Sequence, residues 1–411
     1  MAEQPVLVAI DIGTTKVCVL IGETTARGTI DVIGIGQAPS DGLRKGVVID
    51  IDRTVQSIAS AVDAAERLSG LKVRSAFVGI SGSHIGSQNS RGMVAVSGSS
   101  RHDVDRPDTI RAIEAARAVS IPNTREILHV IPRGYVVDGQ EGVRDPIGMS
   151  AVRLEVETHI VTASTTSVQN LTKCVQRAGV EIDELVLAQL ATAEATLNEE
   201  DRELGVCLAD VGGDTTDVAI FQDGSIAHCA TIPMGGRSVT ADLGIILRVT
   251  PDVAESVKFR YGSAVPLEVD PDEVLQVTSI GEDVSHGVTR RYIAEIVESR
   301  VSEIFKFIGA EIEAAGATNR LQAGLVLTGG GSQLTGVTRS ARDQLGMSAR
   351  VVGPTGLGGL TDQISTPPYA AASGLLLWGA RNWPSEDERA SARALEGVTT
   401  RIGKIFKGLM P

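Results

Sequence analysis

Aromatic side chains are scarce in these 411 residues: Phe, Trp and Tyr together make up 3%. A core must therefore come from Val, Ile, Leu and Ala. With 42% apolar residues there is enough for two or three domains or one large bilobed one. Cysteine is as sparse. Cys18, Cys174, Cys207 and Cys229 stand far apart, with no CxxC pair and no histidine at metal-ligand spacing. That excludes a zinc site and a disulfide framework, and it fits a reducing compartment. Bases are outnumbered, 38 against 51 acids, and the net charge of -13 argues against nucleic acid as a partner. No apolar run reaches the ~18 residues of a membrane-crossing helix; "YAAASGLLLWGA" (369–380) comes nearest. The opening "MAEQPVLVAI" lacks the basic start of a secretory signal. These absences predict a cytosolic protein that meets a membrane only from its surface.

What the sequence does contain is one device used twice. "VLVAIDIGTTKVCVLIG" (6–22) reads as strand, Gly-Thr-Thr turn, strand, and "IDVIGIGQA" (30–38) adds a third strand. "GVCLADVGGDTTDVAIFQDGSIAHCATI" (205–232) repeats the pattern with a Gly-Gly-Asp-Thr-Thr turn. Two copies predict two related α/β halves facing each other. Residues 54–69 and 289–313 carry apolar side chains at helical spacing. Between the halves, 84–162 has short strands and a helix near 105–119, long enough for an inserted α+β subdomain.

Both turns have the chemistry of a phosphate cradle. Glycine lets backbone approach a ligand closely, and successive amides with threonine hydroxyls can hold phosphate oxygens. The first, "DIGTTK" (Asp11–Lys16), is not a P-loop, since a strand rather than a helix follows. The second is "DVGGDTTD" (Asp210–Asp217). Aimed into one cleft, the two would clamp a polyphosphate, with Asp11 and Asp210 holding Mg2+ mostly through water. "GLVLTGGGSQLTGV" (324–337) adds three glycines after a buried strand, where a nucleoside could pass closely.

In this order the motifs resemble the actin and sugar-kinase ATPase superfamily, and within it the FtsA family of bacterial cell-division proteins. The likeness covers nearly the whole chain. Its specific marks are "DIGTTKV", "ILHVIPRGYVVDGQEGVRDPIGMSAVRLE", "TADLGIILRVTPDVAESVKFRYG", "TGGGSQLTGV" and the amphipathic C-terminus. The resemblance implies a bilobed actin-like fold. Residues 1–83 would begin the first lobe, with 163–195 and 360–384 packing onto it. The insert would span 84–162. The second lobe would span 196–359, with a small subdomain about 240–305.

The resemblance also assigns roles. Gly13, Thr14, Thr15 and Lys16 would form the first phosphate loop, and Gly212, Gly213, Thr215 and Thr216 the second. Gly329, Gly330 and Gly331 would line the nucleoside, with Gly235 and Gly236 of "PMGGR" nearby. Glu255 and Lys258 would flank the adenosine of ATP, although as bare sequence they read equally well as a solvated i,i+3 ion pair. Relatives commonly have Gly where this chain has Asp214, and a carboxylate beside a γ-phosphate is repulsive unless it turns away or joins the metal's water shell. At most a slow ATPase is expected, since no general base announces itself and phosphoryl transfer depends mainly on positioning.

By the same resemblance the protein would polymerise and tether FtsZ filaments to the cytoplasmic face of the cell membrane at the septum. Later division proteins would follow. The acidic C-terminal peptide of FtsZ would meet the small subdomain, where Lys258, Arg260, Arg290, Arg291 and Arg300 supply positive charge. An actin-like pilus-assembly platform is the alternative, and a small-molecule kinase of the superfamily a more distant one.

The chain's last segment speaks for the membrane. After a polar tether (385–397) that opens with a Ser385…Glu388 capping-box pattern, 398–411 includes "RIGKIFKGLMP". On a helical wheel Ile402, Ile405, Phe406 and Leu409 share one side, with Arg401, Lys404 and Lys407 opposite. Near anionic lipid each cation contributes about 1 kcal/mol. Each buried apolar side chain adds at best about 1.5–3 kcal/mol, and ordering a short helix offsets part of it. One such anchor is reversible, whereas a filament carrying many is held firmly.

Overall fold

The structure, a computed structural model, describes residues 6–25, 28–97, 103–281 and 284–382. It begins with an antiparallel meander of β1 (Val6–Ile12), β2 (Lys16–Thr24) and β3 (Ile30–Pro39). β1 and β2 are nearly unbroken runs of apolar residues, as strands covered on both faces must be. A small hairpin, β4 (Leu43–Arg44) and β5 (Val47–Val48), leads into α1 (Ile51–Ser69). This helix starts a turn before the apolar periodicity does, because the Asp50 side chain caps it by accepting the Arg53 amide. β6 (Ser75–Ile80) then runs parallel to β1.

The chain next departs into a separate subdomain of β7 (Gly86–Ala95), α2 (Arg106–Arg117), β8 (Arg125–Val137), β9 (Gln140–Val143) and β10 (Arg153–Ser164). Its four strands are ordered β7-β10-β8-β9. An Asp105–Asp108 capping box starts α2, and Ile113, Tyr135, Leu154 and Ile160 belong to a core of its own. The insert also grips the other half of the molecule. Ser87 Oγ donates to the Cys229 carbonyl at 2.9 Å, and Asn89 Nδ2 to the Ala227 carbonyl at 3.1 Å.

α3 (Thr165–Arg177), β11 (Glu181–Leu187) and α4 (Ala188–Thr196) return to the first sheet, where β11 pairs parallel with β6. After the short α5 (Glu199–Leu204), a second meander follows: β12 (Val206–Val211), β13 (Thr216–Gln222) and β14 (Ser225–Ile232). α6 (Gly236–Leu247), α7 (Pro251–Tyr261) and the paired β15 (Val274–Val277) and β16 (His286–Thr289) form a smaller unit. The long α8 (Arg290–Ala314) leads back to β17 (Gly324–Thr328), α9 (Val337–Leu345) and β18 (Ala349–Val351). β19 (Leu357–Gly359), α10 (Thr361–Ile364) and α11 (Ala370–Asn382) end the described chain on the first lobe.

The two large sheets are ordered β11-β6-β1-β2-β3-β19 and β14-β13-β12-β17-β18. In each, a three-stranded antiparallel meander continues through its first strand into two parallel ones, so the halves duplicate one topology. α1 and α3 pack on the outer face of the first sheet, and α6, α7, α8 and α9 cover that of the second. Between the inner faces lie α4 and α11, in one core with Leu7, Leu20, Leu208 and Val326. The stretch "YAAASGLLLWGA" is thus the buried α11. Among the described residues no helix is long and apolar enough to cross a membrane. The tether (385–397), its Ser385…Glu388 pair and the amphipathic segment with Ile402, Lys404, Ile405, Phe406, Lys407 and Leu409 lie outside the described residues.

Candidate functional site

Both meanders reverse at a glycine-threonine turn closed in the same way. The Gly13 amide donates to the Lys16 carbonyl at 3.0 Å, and the Gly212 amide to the Thr215 carbonyl at 2.8 Å. The turns meet across the gap between the lobes. Thr14 Oγ1 accepts the Asp214 amide at 3.1 Å, and a Cβ on Gly213 would stand 2.4 Å from the Thr15 methyl. Only glycine permits that approach. β17 supplies a third wall by running out into Gly329–Gly331. Together they bound a cleft of about 350 Å3, in the size range of small-molecule sites.

Asp11, Gly13, Thr14, Thr15, Lys16, Asp210, Gly212, Gly213, Thr215, Gly236, Glu255, Lys258, Gly329, Gly330 and Gly331 all line this one cleft. Thr216 and Gly235 do not. Thr216 lies buried in β13, its hydroxyl donating to the Met234 carbonyl at 2.9 Å. Gly235 packs against the second turn, where a Cβ would meet the Gly212 carbonyl at 2.5 Å. Both residues support the second loop from behind.

Glu255 and Lys258 are more than the solvated pair that bare spacing allows, although the Glu255 side chain is 40% exposed. Lys258 is only 12% exposed, and its Nζ donates to Glu255 Oε2 at 2.8 Å, Thr240 Oγ1 at 2.9 Å and the Gly236 carbonyl at 3.1 Å. The pair stitches α7 to α6, beside an apolar wall of Val301, Ile304 and Phe305. At the opposite wall, Lys16 Nζ stands 3.8 Å from the centre of the Tyr369 ring, a cation–π contact that fixes the ammonium within the cleft.

The two candidate metal-holding carboxylates are half-buried at the floor of the cleft. Burial raises Asp11, with Lys16 opposing the shift. Burial also pushes Asp210 up to about 7, and the neighbouring Asp217 and Asp11 add to it. Asp217 itself is a site residue that motif reading did not single out. It pairs in register with Asp210, accepts Thr231 Oγ1 at 2.6 Å and Gln189 Nε2 at 3.1 Å, and is raised by burial to about 6. Gln189, the polar residue at the start of the apolar α4, keeps a buried Oε1 without a partner. Lone polar letters in "TDVAIFQ" and "AQLATAEAT" were the available signals.

Asp214, expected to trouble a γ-phosphate, turns away from the cleft. Its Oδ2 accepts the Lys45 amide at 3.3 Å and its Oδ1 faces Arg237 Nη1 at 3.4 Å.

Of the basic residues expected to form one docking surface, Lys258 is committed to the cleft. Arg300 holds Asp242 at 2.7 and 3.0 Å and also Glu303, while Arg290 pairs with Glu273 at 2.9 Å. Arg260 is exposed and Arg291 half-buried. That leaves a smaller positive surface than the raw count predicts.

A family model described as "SHS2 domain inserted in FTSA" matches residues 82–162, and one described as "Cell division protein FtsA" matches 207–374. Among solved structures, the PilM-PilN type IV pilus biogenesis complex is similar, with a TM-score of 0.66 at 16% identity, covering 91% of this chain and 98% of that one. MreB5 of Spiroplasma citri bound to ADP gives 0.56 at 13% identity, covering 96% and 100%. The duplicated lobes and these likenesses define a bilobed α/β protein of the actin-like class. The cell division protein FtsA of Pseudomonas aeruginosa is 45% identical over 373 residues, 91% of this chain and 89% of the relative. The chain belongs to the FtsA family of cell-division proteins.

Proposed function

We propose that this protein is an ATP-binding scaffold that forms filaments on the cytoplasmic face of the membrane at the septum. There it would tie FtsZ filaments to the bilayer and help bring in later division proteins. The observation that carries this reading is the clasp of two like turns, 13–16 and 212–215, around a single interlobe cleft. Turn amides, Thr14, Thr15 and Thr215 would hold the phosphates, and Lys16 would offset their charge. Lys258 and Glu255 would border the nucleoside against Val301, Ile304 and Phe305. The ADP named with the similar MreB5 structure supports a nucleotide as occupant.

Asp11 and Asp210 fit Mg2+. Both carboxylates are raised by desolvation, Asp210 also by its neighbours Asp217 and Asp11, and a nearby divalent charge would relieve them. Mg2+ bound there would neutralise phosphate charge, and two carboxylates with water and phosphate oxygens are its usual company. The chain's own residues bind and orient; none is placed as a general base, so turnover would be slow.

An acidic FtsZ C-terminal peptide would find the exposed Arg260 on a small subdomain that also bears Ile245, Leu267 and Ile280, 76%, 85% and 65% exposed. Co-sedimentation with vesicles containing anionic lipid tests the whole reading. The full chain with Mg2+-ATP should pellet, and a chain ending at residue 397 should stay in solution. Equal pelleting of the two would overturn it.

A further inference from the structure

The hairpin β4–β5 belongs to the first lobe. Its turn residue Lys45 accepts the Ser83 amide through its carbonyl at 3.4 Å, and at Gly46 a Cβ would lie 2.5 Å from Gly82 Cα. The Lys45 amide nevertheless points across the gap, to a carboxylate on the second lobe. That carboxylate, Asp214, is 16% exposed, and the neighbours Gly212, Gly213 and Thr215 line the cleft while it does not. Its other oxygen faces Arg237, which lines the cleft at the start of α6 and whose amide donates to the Gly213 carbonyl at 2.8 Å.

We propose that Asp214 is a latch that holds the phosphate end of the cleft shut and so sets how long a nucleotide stays bound. The proposal rests on the nucleotide reading above. Opening the lobes at this end must break two bonds to Asp214. One is made by its backbone amide to Thr14, which any residue but proline would keep. The other is made by its carboxylate to the Lys45 amide, which needs an acceptor side chain. The same carboxylate keeps the Arg237 guanidinium at the mouth of the cleft, so loss of the side chain loosens both lobes' grip at once. Both side-chain contacts are long and Arg237 is 47% exposed, which places the effect at the modest end of charge-assisted bonds and makes it sensitive to salt.

The test is stopped-flow release of a fluorescent N-methylanthraniloyl ADP, chased by excess ATP with Mg2+, from the full chain and from Asp214→Gly and Asp214→Asn. Asp214→Gly should release about three- to tenfold faster, with the association rate unchanged. Asp214→Asn retains an amide acceptor for Lys45 and loses the charge pair, so it should fall between. Raising KCl should speed release from the unaltered chain and bring it toward the glycine variant. Equal release rates in all three proteins would overturn the latch and leave the nucleotide site standing. A full chain that binds no labelled nucleotide at all would remove both.

Discussion

Asp210 is where burial and chemistry meet most sharply. Its carboxyl is pushed up to about 7, and that of Asp217 to about 6. In the folded chain both hold their protons more tightly than in the unfolded one. They therefore favour folding in full only below the ordinary carboxylate range, and that contribution is lost as pH rises through about 6 to 7. Without ligand, the melting temperature should fall across this interval. On the proposed reading Mg2+-ATP would compete with the Asp210 proton, so it should raise the melting temperature more at about pH 8 than at about pH 6. Calorimetric scans at both values check this, and a ligand-induced shift that ignores pH would remove Asp210 as the metal's carboxylate. Asp210 itself was legible in the sequence, because an acid between a Val/Leu run and a Gly-Gly turn has few other uses. Asp217 was not, since a lone acid within "TDVAIFQ" gains meaning only from its register with Asp210 and its bond to Gln189, 28 residues back.

At the scale of elements, α4 and α11 pack unusually close. A Cβ on Gly374 would stand 1.7 Å from the Ala191 carbonyl, so the two helices touch backbone to backbone in the layer shared by both sheets. Gly374→Val should destabilise the protein by about 1–3 kcal/mol or more, since overpacking at a backbone contact leaves nothing flexible to yield. Urea unfolding measures it, and a loss under about 0.5 kcal/mol would mean that the helices separate freely. The hydrophobicity of α11 was plain from sequence, but its partner was not, because α4 and α11 are joined by no local pattern. The meanders were legible for the opposite reason: strand, turn and strand are contiguous, and burial on both faces leaves unbroken apolar runs. The short β15 and β16 escaped notice, as four-residue strands carry too few alternations to stand out.

At the scale of the whole molecule, the proposed membrane anchor is weak alone and strong in number. Phe406→Glu places a charge on the apolar side of the proposed helix. It should move a fluorescently labelled chain from the membrane to the cytosol in cells while leaving nucleotide affinity in solution within about twofold. Continued membrane localisation would transfer the anchoring role to another surface. Growth into the proposed filaments would have its own constraint, set by the insert. β14 is the outermost strand of its sheet, yet its Ala227 and Cys229 carbonyls are already engaged by Asn89 and Ser87. A border that is occupied cannot template a neighbour's backbone. Subunits of the proposed filament would thereby be denied the amyloid-like route of extending one another's β-structure along that margin.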